Sequence, residues 1–124
     1  MRNVCIIAGG MSQWGVRDAS QRDCFQEAGK ACFEDNKGVT NKDIDGLLVA
    51  SAYTERCSFQ THLAPLVAEY LGIKPKSVCA RVELLCASGS SARNTEATRD
   101  KPCDAVIMAI VDTWEVDGRE VYRK

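Results

Sequence analysis

The chain predicts an α/β fold, a mostly parallel βαβαβαβ sheet with helices on its faces. Three observations carry that expectation. Apolar runs of strand length occur four times, at Val4–Ala8, Asp45–Ala50, Ser77–Leu84 and Ala105–Val111. The segments between them are long enough for helices, and two have helical apolar spacing. The last run, Ala-Val-Ile-Met-Ala-Ile-Val, is continuous rather than alternating, as in a strand covered on both faces. Strands alternating with helices give parallel pairing with right-handed crossovers.

Val4–Ala8 reads as the first strand because it is nearly all apolar and stops at Gly9-Gly10. Ser20-x-x-Asp23 has the form of a capping box, which satisfies two orphan N–H groups at a helix start. Behind it Phe25, Ala28, Ala31 and Cys32 share one helical face, and Gly38 closes the segment. Asp45–Ala50 is the second strand. Phe59, Leu63, Leu66, Val67, Tyr70 and Leu71 then recur at three- and four-residue steps up to Gly72. Pro65 lacks an N–H and fits only the first turn, so this helix begins around Thr61 or later. Ser77–Leu84 is the third strand and runs into Cys86. Ser91–Lys101 has only Ala92 and Ala97 as apolar residues before Pro102, a short helix without a wide apolar stripe. The polar tail 117–124 reads as loose.

A length of 124 residues fits one domain, 1–124, with a core of its own. Hydrophobic content of 45% and charged content of 27% exclude a disordered chain. A net charge of −1 leaves no basic footprint for nucleic acid, and no apolar run is long enough for a membrane span. The apolar N-terminal stretch is also too short for a secretion signal. Seven cysteines, an odd number without any C-x-x-C, suit a reduced, cytoplasmic protein better than a disulfide scaffold. His62 is the only histidine and the cysteines are not spaced as ligand pairs, so no metal site is expected.

Cys86 is the candidate catalytic residue. A strand enters it and the small residues Ala87-Ser88-Gly89-Ser90 leave it, able to open a helix. A sulfur at a helix N-terminus faces unpaired N–H groups and the positive dipole end, which favour the nucleophilic thiolate. A buried structural cysteine ahead of a helix is the alternative reading. A cysteine-phosphatase loop is excluded, because it needs Arg six residues after the cysteine and position 92 is Ala. Gly9, Gly10 and Gly15 do not form G-x-G-x-x-G, which excludes a dinucleotide loop there.

The residues together resemble the N-terminal part of thiolases, in the archaeal and sterol-carrier-like acetyl-CoA acetyltransferase branch. Val4-Cys5-Ile6-Ile7-Ala8-Gly9-Gly10-Met11-Ser12-Gln13-Trp14-Gly15 is similar to that branch's first strand and following loop. Asp43-Ile44-Asp45-Gly46-Leu47 is similar to the lead into its second strand, and Leu63–Gly72 to its second helix. Arg81-Val82-Glu83 with Cys86-Ala87-Ser88-Gly89-Ser90 resembles its nucleophile elbow, and the likeness runs from about Arg2 to Val111.

The resemblance implies that Cys86 accepts an acyl group from a coenzyme A thioester and that its backbone N–H donates to the oxyanion. Coenzyme A enters as substrate; no bound cofactor is implied, and no coenzyme-binding residue is assigned. In the family, two histidines and a second cysteine from the C-terminal half complete the reaction. No segment here matches that half, so the chain is expected to be inactive alone. His62, at a helix start far along the chain from Cys86, is expected at a surface or interface. After the elbow the family has an Ala/Leu-rich helix where this sequence is polar. Ketoacyl synthases and hydroxymethylglutaryl-CoA synthases share the elbow and stay open as relatives. The alternative is a non-catalytic module that pairs as a homodimer or with a complementary thiolase subunit. Trp14, Trp114 and the Phe59–Leu71 helix face are then the partner-facing groups.

Overall fold

A computed structural model describes residues 5–52, 59–97 and 106–111 of the chain. The capping box forms as read: Ser20 Oγ accepts the Asp23 N–H, Asp23 returns a carboxylate oxygen to the Ser20 N–H, and α1 (Gln21–Asp35) follows. It buries Phe25 and Gly29. β1 (Gly46–Ser51) comes next, one residue later at each end than its expected span. The helix α2 (Leu63–Leu71) has Pro65 in its first turn and ends on Gly72, whose φ of 64° is open to glycine without a Cβ penalty. β2 (Val78–Val82), α3 (Ser88–Ala97) and β3 (Val106–Val111) complete the described elements.

The strands form a three-stranded parallel sheet in the order β2-β1-β3. β1 is therefore central, and all six of its residues are buried. Its side chains alternate between two cores. Leu47 and Val49 pack with Phe25, Leu63, Val67 and Ile73 beneath α1 and α2. Leu48 and Ala50 pack on the other face with Ala92 of α3, flanked by Val78, Ala80 and Val82. The chain moves one way along the sheet from β1 to β2 and the opposite way from β2 to β3. Right-handed crossovers then require α2 and α3 on opposite faces, which is where the two cores place them.

Two expectations change. The first strand does not form: residues 5–8 are outside the sheet, with Ile6 77% exposed. Their backbone instead lies along α1, where Asn36 Nδ2 donates to the Ile7 carbonyl and the Gly9 N–H to Asp35. Gly10 sits so close to α1 that a Cβ would collide with the backbone of Ala28 and Cys32. The described sheet is thus βαβαβ, preceded by a helix, and not the full βαβαβαβ. β1 is covered on both faces, and β3 has one strand neighbour among the described residues. Finally, the α2 stripe faces inward: Leu63, Ala64, Val67 and Ala68 are core residues, so that face is already covered. The tail 117–124 and Trp114 lie outside the described residues.

Candidate active site

The turn after β2 holds one of two non-glycine residues with positive φ among the described residues, the other being Phe59. Leu85 has φ +46°, a left-handed conformation that a bulky side chain adopts only under constraint. The turn is closed by the Ala87 N–H on the Leu84 carbonyl (2.9 Å) and the Ser88 N–H on the Leu85 carbonyl (3.1 Å). The Ser91 N–H on the Ala87 carbonyl (2.9 Å) then starts α3. Cys86, exposed, stands between the strained residue and that first helical carbonyl. The strand-to-helix elbow read from sequence is therefore present, and its thiol is open to solvent rather than buried.

Ser88 was treated in sequence only as a small residue, yet it holds the elbow. Its side chain is 5% exposed; Oγ accepts the Leu84 N–H at 2.8 Å and donates to the Leu85 carbonyl at 2.6 Å. The N–H groups engaged in the turn are those of Leu84, Ala87 and Ser88; the Cys86 N–H, the expected oxyanion donor, is not among them. Arg81 anchors the strand end upstream. Its Nε and Nη2 donate to the Ser51 carbonyl at 3.3 and 3.2 Å, and Nη2 also meets Glu83 at 2.5 Å.

α2 and α3, which follow β1 and β2, pack on opposite faces of the sheet. In open α/β sheets such a reversal marks the carboxyl ends of the two strands as the place where ligands bind, and Cys86 follows β2 at that end. His62 does not join Cys86: it is the exposed N-cap of α2, makes no side-chain capping bond, and is held through its backbone, its N–H by Gln60 and its carbonyl by the Leu66 N–H. Among the described residues no three His, Cys, Asp or Glu side chains converge. The described thiols differ in setting. Burial pushes the Cys32 thiol above its ordinary pKa, and Asp35 adds to the rise. Burial does the same for Cys79. Cys24 has a cation nearby, Arg17 Nη2 at 3.7 Å from its sulfur.

Residues 4–110 match the thiolase N-terminal domain. The chain belongs to the thiolase family. Within it, an acetyl-CoA acetyltransferase of Methanocaldococcus jannaschii is 39% identical over 93 residues, 74% of this chain and 23% of that enzyme. The acetyl-CoA acetyltransferase of Methanothermobacter thermautotrophicus is 36% identical over 93 residues, 74% of this chain and 24% of the relative. The chain thus spans about a quarter of the length of the curated thiolases it matches. A carboxysome shell vertex protein of Synechococcus elongatus is 42% identical over 41 residues, 33% of this chain and 41% of that protein. No helix among the described residues is long and apolar enough to cross a membrane.

Proposed function

We propose that this thiolase chain carries the acyl-accepting step of an acetyl-CoA acetyltransferase-like reaction, with Cys86 as nucleophile. The supporting observation is an exposed cysteine on a pinned, strained turn at the carboxyl end of a parallel strand. The Cys86 thiolate attacks the thioester carbonyl of an acyl-CoA, and the Cys86 N–H donates to the oxyanion that forms. Collapse breaks the carbon–sulfur bond to coenzyme A, which leaves as a thiolate and takes up the proton that Cys86 gave to solvent. The product is an acyl-cysteine. Forming a carbanion on a second acyl-CoA needs a base, and the single histidine, His62, makes no bond to Cys86. The chain alone is therefore assigned one half-reaction without turnover, and seven cysteines without any C-x-x-C support a cytoplasmic setting.

Incubating the chain with acetyl-CoA, then mapping peptides by mass, tests this reading. One acetyl group on the Cys86 peptide with equimolar free coenzyme A, absent in Cys86→Ala, is expected. Acetylation of Cys5 or Cys24 in preference to Cys86 refutes it.

A second reading has its own support in the 41-residue likeness to a shell vertex protein: a non-catalytic module that assembles. Trp14 at 72% and Phe59 at 76% exposure offer apolar surface for a homodimer or a complementary subunit. Sedimentation equilibrium at micromolar concentration separates the two, because a monomer that acetylates Cys86 leaves this reading without support.

A further inference from the structure

We infer that Ser88 is the positioning residue of the elbow, holding Leu85 in its left-handed conformation so that Cys86 stays at the start of α3; this rests on the nucleophile reading above. Three observations converge on it. Ser88 is the one side chain that bridges both sides of the strained residue, from the Leu84 N–H to the Leu85 carbonyl. Both bonds are short, 2.8 and 2.6 Å, and are made by a hydroxyl almost removed from solvent. A buried hydroxyl with donor and acceptor both engaged is costly to replace, since its partners would then lack theirs. Leu85 itself supplies no reason to be left-handed: it is 57% exposed and so gains little from core packing there.

The Ser88 hydroxyl adds two side-chain bonds to the turn's two backbone bonds, and without that pair Leu85 relaxes from φ +46° toward negative φ. Such a rotation one residue before Cys86 swings the sulfur away from the start of α3. Ser88 touches neither thiol nor substrate in this scheme; it acts through Leu85. Glycine at position 85 would occupy the left-handed region without penalty. The pin should accordingly matter with leucine at 85 and become dispensable with glycine.

The test is competitive iodoacetamide labelling of the full chain, reading the rate at Cys86 relative to the exposed Cys5 in the same sample. Ser88→Ala is expected to lower that ratio about ten- to a hundredfold, up to the scale on which a misplaced reacting group loses rate. Ser88→Thr, which keeps the hydroxyl, should retain the wild-type ratio, and Leu85→Gly/Ser88→Ala should restore it. An unchanged ratio in Ser88→Ala overturns the inference while leaving Cys86 as the nucleophile. A wild-type ratio no greater than one removes the nucleophile reading, and the inference with it. Should Ser88→Ala unfold the chain, seen as faster labelling of the half-buried Cys32, the double variant decides. A folded, reactive double variant supports the pin, and an equally unfolded one refutes it.

Discussion

The Arg81 guanidinium is fastened to the carbonyl of Ser51, so the last residue of the central strand is held by the strand that carries the elbow. Ser51 is fully buried, and its carbonyl receives two charged donors in a fork that only arginine presents. Arg81→Lys should lower unfolding stability by about 1 kcal/mol and Arg81→Ala by about 2 kcal/mol. Urea denaturation checks the order. The accompanying contact to Glu83 is half exposed and adds little, so Glu83→Gln should be near neutral.

Gly10 makes the opposite kind of prediction, a local one. Its backbone rests on α1 where a Cβ would strike the backbone of Ala28 and Cys32, which cannot yield as a side chain tip does. Gly10→Ala should peel the N-terminal segment from α1. That segment contributes nothing to either described core, so the urea midpoint should hardly move. Tryptic cleavage after Arg17 should nevertheless accelerate several-fold, as local opening exposes the segment.

Acid should weaken the fold through two aspartates. Asp23 is held below the ordinary aspartate range, first by the Ser20 hydroxyl and then by the Ser20 N–H. Asp43 is lowered in the same way by the hydroxyl and N–H of Thr40. The folded chain binds these protons more weakly than the unfolded chain does. Their contribution is therefore complete above the unfolded value of about 3.9 and is lost as pH falls through the lower folded values. Urea midpoints of wild type should drop as pH falls below about 4, and Asp23→Asn/Asp43→Asn should flatten that limb.

Ala92 is fully buried between α3 and β1, the side chain of α3 that enters the second core. A larger residue there has no room except by lifting the helix. Ala92→Leu should cost about 1–3 kcal/mol through overpacking. Because α3 begins at the elbow, the same variant should also slow alkylation of Cys86 relative to Cys5, a joint effect that Leu48→Ala should not share.

Local codes were readable in the sequence where a few neighbouring atoms decide the outcome. Ser20 with Asp23, Pro65 in a first turn, and Gly72 at a helix end each behave as written, and the Cys86 elbow lies between strand and helix. Val4–Ala8 shows the limit. An apolar run says that side chains favour cover, but not where the backbone N–H and C=O groups find partners; here Asp35 and Asn36 of the α1 end supply them. The continuous run at β3 likewise carries no information about strand order, and it is β1 that stands between β2 and β3. Ser88 and Arg81 were missed for a related reason. Both act on main-chain atoms of residues whose own identity, Leu84, Leu85 and Ser51, gives no sign of being held.

The central position of β1 also has a consequence for the growing polypeptide. Gly46 leaves the ribosome early, yet its two lateral partners are Val78 and Val106, which follow much later. Until each is synthesised, this fully buried central strand has an unpaired edge able to template another molecule. Parallel pairing cannot be closed by a tight hairpin, so local structure cannot cover that edge in the interval. An arrested nascent chain ending before Val106 would keep one side of β1 open to pairing with its neighbours on the same messenger.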